Sequence, residues 1–340
     1  MAPFRRRPAP LLIRVIAGLY TSTVGPIVVR AFERNGRLDA MLAKFMERRE
    51  RDYVEKNPLR DYTPGAQDVF VMTYAKSGTN WMMQIVYQLI HHGKGEFSHI
   101  HSVVPWPDAI LMGPTMKHYA IPLDQANDWQ TSPERKRVIK THLNWEHVPY
   151  SAEARYIAVI RDPKDVFVSA YFFLRDAAFG RSMPSVNAMY RAFLAGNFII
   201  GGSWAANAAG FWAQRHRPNV LVVSFASMKR DLEATVRRVA EFLAIHVSDE
   251  VIREVCRKSS FAYMKTIDER FGSFPASPWS KRGQMMRKGM QGGSSELLTP
   301  EQQNHLDAVM TSELSRLGSD LPYDEICGKG ASSAAEAASG

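Results

Sequence analysis

The chain has 340 residues, 45% hydrophobic and 23% charged, with 43 Lys/Arg against 34 Asp/Glu. That length and hydrophobic content suit one large α/β domain with terminal extensions, or two domains. The two cysteines, Cys256 and Cys327, exclude a disulfide framework and a cysteine-rich zinc site, and predict a reducing, cytoplasmic setting.

The net charge of +9 is unevenly placed. Residues 1–60 hold 13 Lys/Arg and 6 Asp/Glu, whereas the remaining 30 and 28 nearly cancel, so no nucleic-acid partner is expected. Residues 1–65 form a basic, partly apolar helical extension. Within it Arg5, Arg6 and Arg7 precede an apolar run from Leu11 to Val29, which Arg14, Gly18 and Pro26 interrupt and Arg30 follows. No small-residue cleavage pattern follows, which argues against a signal peptide. A membrane span takes about 20 clean apolar residues, and a central arginine costs about 2.5–3.5 kcal/mol on insertion scales. Residues 1–35 therefore favour contact with an anionic membrane surface, or packing on the protein itself, over a span.

From Leu38 to Glu55, Leu38, Met41, Leu42, Phe45 and Met46 recur at three-and-four spacing, predicting an amphipathic helix docked on the main domain. Pro58 and Pro64-Gly65 punctuate the entry to that domain, residues 66–320. Strands and helices then alternate. Strands are predicted from Val69, over Arg137–Leu143, Arg155–Ile160 and Asn219–Phe225. Helices are predicted over Asn80–His91, Pro163–Asp176 and Met228–Leu243. Continuous apolar runs such as YIAVI and VLVVSF suit a parallel sheet covered on both faces, hence a three-layer α/β/α fold. Residues 321–340, ending GKGASSAAEAASG, are expected to be a disordered tail.

Four segments carry chemistry. In VFVMTYAKSGTNW, residues 69–81, a strand meets a helix N-terminus through Lys76, Ser77, Gly78 and Thr79. Free amides, the helix dipole and a mobile ammonium make such a loop an anion cradle, although its lysine precedes its single glycine, unlike the Walker sequence. In VIKTHL, Val138, Lys140 and His142 share one face, and a histidine beside an ammonium stays in its basic form. A buried histidine bonded to backbone explains His142 equally well at this point. In YIAVIRDPKDVFVS, Arg161 ends a strand where it can grip a phosphate, and Ser169 lies two helical turns on; an ion pair with Asp162 or Asp165 is the plainer account of Arg161. Arg287, Lys288 and Gly289 form a basic loop.

Together these segments resemble the cytosolic-type sulfotransferases that use 3′-phosphoadenosine 5′-phosphosulfate (PAPS), a P-loop fold. The resemblance covers roughly Asp68 to Met310 and rests on TYAKSGTNW, KTHL, RDPKDVFVS, GSW at Gly202–Trp204, SSFAYMK at Ser259–Lys265, and RKG, in the family's order. It implies that Ser77, Gly78, Thr79 and Asn80 bind the 5′-phosphosulfate, with Lys76 at the leaving oxygen. Trp81, Phe225, Ser259 and Phe261 are implied at the adenine, and Arg161, Ser169, Arg287, Lys288 and Gly289 at the 3′-phosphate. His142 becomes the general base that deprotonates a hydroxyl or amine, and Lys140 steadies the transferring sulfuryl group. The implied product is 3′-phosphoadenosine 5′-phosphate (PAP), with no metal; no DxD, HExxH or Cys/His cluster is present.

Departures from the family pattern are Ala75 for a proline, Phe225 for a tyrosine, and Gly292-Gly293-Ser294 for GDW after the RKG segment, which puts the order of that loop in question. The family's dimerisation signature is absent. Thr299-Pro300-Glu301 stands there as a helix start, so no oligomeric state is assigned. Trp106, Met112, Trp129, Trp145, Phe172, Phe173, Phe179 and Phe198 are candidates for a hydrophobic pocket for a small-molecule or lipid-like acceptor, and equally ordinary core. Two other readings stay open: a P-loop nucleotide or small-molecule kinase, which lacks its Walker sequence here, and an inactive membrane-associated binding protein, against which Lys76, His142, Arg161 and Ser169 speak.

Overall fold

A computed structural model describes residues 10–112, 121–199, 201–272, 285–289 and 291–328. At its centre lie β1 (Asp68–Thr73), β2 (Arg137–Thr141), β3 (Arg155–Ile160) and β4 (Val220–Ser224), all parallel and ordered β2-β1-β3-β4. Every residue of β1 and β2 is buried, as strands covered on both faces require. The two-residue period divides the core. Val69, Val71, Ile157, Val159 and Leu221 pack with α4 (Thr79–Ile90), α9 (Leu232–Phe242) and α10 (Asp249–Ser259). Phe70, Met72, Ile139, Tyr156 and Ala158 pack with α5 (Pro163–Leu174), α6 (Val186–Leu194), α7 (Trp204–Trp212) and α12 (Pro300–Arg316). This is the three-layer α/β/α architecture that the apolar runs predict.

Register decides where the chemistry emerges. Met72 of β1 lies opposite Thr141 of β2 and Ala158 of β3, so the residues that follow, Tyr74, His142 and Arg161, leave the same edge of the sheet. At the opposite end Arg137 holds Asp68 through Nε at 2.9 Å and Nη2 at 2.7 Å, a buried pair that ties β1 to β2.

The extension contributes α1 (Leu11–Ser22), α2 (Val24–Arg34) and α3 (Leu38–Glu55). The first two are bent by 44° at their junction, and no single helix is long and apolar enough to cross a membrane among the described residues. α3 docks through part of the predicted face, whose Met41 and Phe45 are exposed. Leu38, Leu42, Met46 and Tyr53 are buried, and the Tyr53 hydroxyl donates to Asp108 Oδ2 at 2.8 Å.

Several expectations are corrected. β4 stops at Ser224, whose hydroxyl accepts from the Ser227 amide, so Phe225 opens a helix, α8 (Phe225–Arg230), instead of closing a strand. The single helix predicted over Met228–Leu243 breaks at Asp231, whose carboxylate accepts the Ala234 amide and starts α9. α5 ends at Leu174 and passes into a π-turn, Arg175–Phe179. The tail is not structureless from residue 321. Leu321, Tyr323, Ile326 and Cys327 are buried around α13 (Tyr323–Ile326), and only 329–340 lie outside the described residues. The loop after Gly289 is ordered at its Gly-Gly-Ser stretch, where the amides of Gly292 and Gly293 both donate to the Asp165 carboxylate at 3.1 Å.

Phe167 is fully buried, its ring against Tyr171, Tyr190, Phe193 and Phe198. Phe167→Ala is expected to lower the unfolding free energy by about 3–5 kcal/mol, read from equilibrium urea unfolding. A change below about 1 kcal/mol would contradict this packing.

Candidate active site

Between β1 and α4 the chain turns through Lys76 at φ 71° and Gly78 at φ 103°. Both lie in the left-handed region, and at Gly78 a side chain is also barred by space, since a Cβ would come within 2.8 Å of the Phe225 ring. The turn aims the N-terminus of α4 into a cavity, and no side chain caps its first amides. Open amides at the positive end of a helix attract an anion.

The cavity has a volume of about 740 Å³, enough for a nucleotide-sized ligand. Lys76, Gly78, Thr79, Asn80 and Trp81 line one part, joined by Arg161, Ser169, Phe225 and Phe261, and by Arg287, Lys288 and Gly289 from the basic loop. Lys140 and His142 face the same space. Ser77 and Ser259 do not. Both are fully buried behind the wall, their hydroxyls without a partner among the described residues, and the Ser259 carbonyl accepts from Trp81 Nε1 at 2.7 Å. Phe225 stands edge-on to Trp81 with its centroid 5.4 Å away, under the Arg161 guanidinium at 4.3 Å.

Arg161 is held from three sides. It donates to the Lys76 carbonyl at 3.1 Å, its Nη2 is 3.5 Å from Asp165 Oδ2, and its own carbonyl accepts from Trp204 Nε1 at 3.0 Å. Trp204 of the GSW segment is thereby a positioning residue. Arg287 and Lys288 both grip Glu296, at 2.7 and 3.0 Å. The loop backbone at Gly289 lies flat on Phe261, where a Cβ would overlap the ring.

The reactive groups share a positive environment. The Lys76 ammonium sits 4.3 Å above the Phe173 ring and 3.8 Å from Met285 Sδ. Burial, reinforced by Arg161 and Arg287, draws its pKa down to about 8. Lys140 lies 3.4 Å over the Trp106 ring. Burial brings its pKa down to about 7, with Asp108 opposing the fall and Lys76 adding to it. His142 is buried, and its Nδ1–H donates to the Thr73 carbonyl at 2.9 Å. That bond sets the tautomer and leaves the lone pair on Nε2, which has no protein partner among the described residues. Burial, then the charges of Lys140 and Lys76, push its pKa down to about 3. The two accounts of this residue merge, since one ring nitrogen is bonded to backbone and the other is left for the cavity.

Asp108 escapes sequence reasoning. It is wholly buried, and its Oδ2 accepts from the Tyr53 hydroxyl and from the His142 amide at 3.0 Å. It holds the backbone of His142 in place and is the carboxylate that faces Lys140. Nothing local in Trp106-Pro107-Asp108 announces this role, because both partners are distant in sequence.

Of the proposed acceptor aromatics, Trp106, Phe173, Phe179 and Phe198 line the cavity. Trp129 instead packs on Arg137, Trp145 on Tyr150 and Tyr156, and Phe172 on Arg175 and Arg287. The Met112 side chain lies outside the described residues. The residues missed are Phe45, Met46 and Arg49 of α3, Leu174, Ile199 and Met264. Phe45 and Met46 carried a signal as apolar positions of an amphipathic helix, but periodicity cannot distinguish packing on a domain from closing its pocket. Among the described residues no group of three or more His, Cys, Asp or Glu is placed to hold a metal.

Fold and site together define an α/β transferase built on an anion cradle. Residues 66–318 match the sulfotransferase domain model, and the chain belongs to that family. Sulfotransferase 2A1 of Macaca fascicularis is 29% identical over 75% of this chain and 87% of its own length. The 3-beta-hydroxysteroid sulfotransferase of Cavia porcellus is 27% identical over 76% and 88%. A crystal structure of retinol dehydratase in a complex with retinol and PAP shares the fold with a TM-score of 0.63, at 20% identity over 80% of this chain and 88% of that one.

His142 is expected to remain a neutral Nδ1–H imidazole throughout pH 5–8, as read by nitrogen-15 NMR of labelled protein. A midpoint near the ordinary 6.5 would contradict the buried, cation-flanked geometry.

Proposed function

We propose that the protein is a PAPS-dependent sulfotransferase acting on the hydroxyl of a hydrophobic small molecule, with sterol-like alcohols as the leading class. The observation that carries this is a neutral His142 Nε2 in an aromatic-walled cavity shared with Lys76, Lys140 and the open end of α4. The steroid named for the Cavia porcellus relative, and the retinol and PAP bound by the structural neighbour, support the acceptor class and the donor.

The cavity fits the donor. Lys76, Thr79, Asn80 and the first amides of α4 would hold the 5′-phosphosulfate, Trp81 and Phe261 the adenine, and Arg161, Ser169, Arg287 and Lys288 the 3′-phosphate. Ser77 and Ser259 support this wall from behind. Bound there, PAPS would supply the sulfuryl group: an O–S bond would form to the acceptor oxygen as the bond between sulfur and the bridging oxygen breaks, its electron pair staying on the phosphate oxygen of PAP. His142 takes the hydroxyl proton at Nε2. Lys140 and Lys76 place positive charge where the developing negative charge needs it, against aromatic walls that weaken screening by water. Trp106, Phe173, Phe179 and Phe198 receive an apolar acceptor. We place the enzyme in the cytoplasm, with its basic extension toward an anionic membrane surface.

His142→Ala is expected to lower kcat by about 10²- to 10⁴-fold while PAP affinity, measured by calorimetry, stays within about twofold, since His142 is not assigned to the donor. Wild-type rates in that variant, or tighter binding of ATP with magnesium than of PAP, would refute the assignment. Glu296 pairs with both Arg287 and Lys288 and would compete with a phosphate for them. Glu296→Gln is therefore expected to tighten PAP binding several-fold. Arg287→Ala is expected to weaken it by about 10- to 100-fold, the worth of a charged hydrogen bond.

A further inference from the structure

The extension breaks the rule that a surface helix buries its apolar face. On α1, Leu12, Ile13, Ile16, Leu19 and Tyr20 are between 47% and 69% exposed, while Gly18 is buried. The small and polar side of the helix packs inward instead, and the Ser182 hydroxyl donates to the Thr21 carbonyl at 2.9 Å. α2 continues the outward apolar surface with Val24 and Ile27, the latter 71% exposed. Its exposed Arg30 and Arg34 flank them, and the only acid between residues 1 and 38, Glu33, is bonded to Ser185. A contiguous apolar face of this size marks a binding surface.

Position gives the face its use. Both helices pack on the turn Gly180–Ser182, and a Cβ at Gly25 would collide with Ser182 Oγ, so the fit is close. That turn continues directly from the π-turn Arg175–Phe179, whose Ala177, Ala178 and Phe179 line the acceptor part of the cavity. Phe45 of α3, 57% exposed, lines the same cavity. The exposed apolar face and the cavity rim thus lie on one continuous piece of structure.

We propose that α1 and α2 form an interfacial dock for an anionic bilayer, through which a hydrophobic acceptor passes from the lipid past Phe45 and Phe179 to His142. This rests on the sulfotransferase reading for the acceptor's fate, though not for the docking itself. A bilayer is favoured over a second copy of the chain by charge. Exposed Arg30 and Arg34 accompany the apolar face, Glu33 is the sole acid in residues 1–38, and a copy would bring like charges together where anionic headgroups neutralise them.

The test uses the full chain and vesicles of phosphatidylcholine with and without phosphatidylserine, scored by co-sedimentation. Wild type is expected to bind the anionic vesicles at least about tenfold more tightly than neutral ones. Leu12→Glu/Ile16→Glu/Ile27→Glu should lose binding to both, and Arg30→Glu/Arg34→Glu should lose the preference. Neither variant touches the cavity, so PAP affinity and the rate on a water-soluble phenol serve as controls for folding and should not change. KM for a sterol presented in vesicles should rise about tenfold. Vesicle binding by the triple-glutamate variant equal to wild type would overturn the dock. A wild-type dimer that the same variant disperses, without vesicle binding, would also overturn it and assign the face to a second copy. Should no acceptor be sulfated at all, the functional reading fails, while co-sedimentation still decides the dock.

Discussion

Four cationic side chains, Lys76, Lys140, Arg161 and Arg287, are gathered around one cavity whose walls are largely aromatic. Burial disfavours the charged forms of Lys76 and Lys140, and the neighbouring cations add to the cost, which is why these two hold their protons less firmly than a surface lysine. Asp108, Asp165 and Glu296 offset part of this charge, yet His142 is left in a field that keeps it neutral. Much of the domain is arranged to sustain this unfavourable concentration of charge. The sheet register brings three strand ends together, Trp204 holds the Arg161 carbonyl, and the Gly-Gly amides anchor on Asp165. A bound dianion would offset that repulsion.

How much of this is legible in the chain follows from the range of the interactions. The cradle, the alternation of Lys140 and His142 with Thr141, and the strand ending at Arg161 are written in residues that are neighbours in sequence, so pattern reveals them. The two-faced core was visible for the same reason, because apolar runs without alternation imply cover on both sides. Where the outcome depends on contacts across the fold, pattern fails. Asp108 meets Tyr53 and His142 over long separations, and Phe45 becomes a pocket residue only because of where α3 comes to rest. Ser77 and Ser259 sit in motif segments, yet their side chains turn away from the cavity. Asp231 is a different case: an aspartate before Leu-Glu is a helix start that local reading could have found, and hydrophobic periodicity on both sides concealed it.

The extension, which composition sets apart from the remainder, proves integral to the site. Tyr53 of α3 supports the carboxylate that positions His142, Glu50 accepts from the Gly201 amide at 3.2 Å, and Arg49 bonds the Leu111 carbonyl. The first two helices stand apart from this arrangement. They contact the domain mainly through the turn after α5 and expose what a soluble helix ordinarily covers.

The π-turn at Arg175–Phe179 has a consequence for how such a protein diversifies. It inserts an extra residue into the helical spiral between Ser169, which the proposed assignment gives to the donor, and Ala177 and Phe179, which it gives to the acceptor. A change in length or bulk on its far side is absorbed by an already irregular turn and is not transmitted along the helix to Arg161 and the sheet. On that assignment one end of a continuous segment is free to vary with new acceptors while the other is held to a single nucleotide.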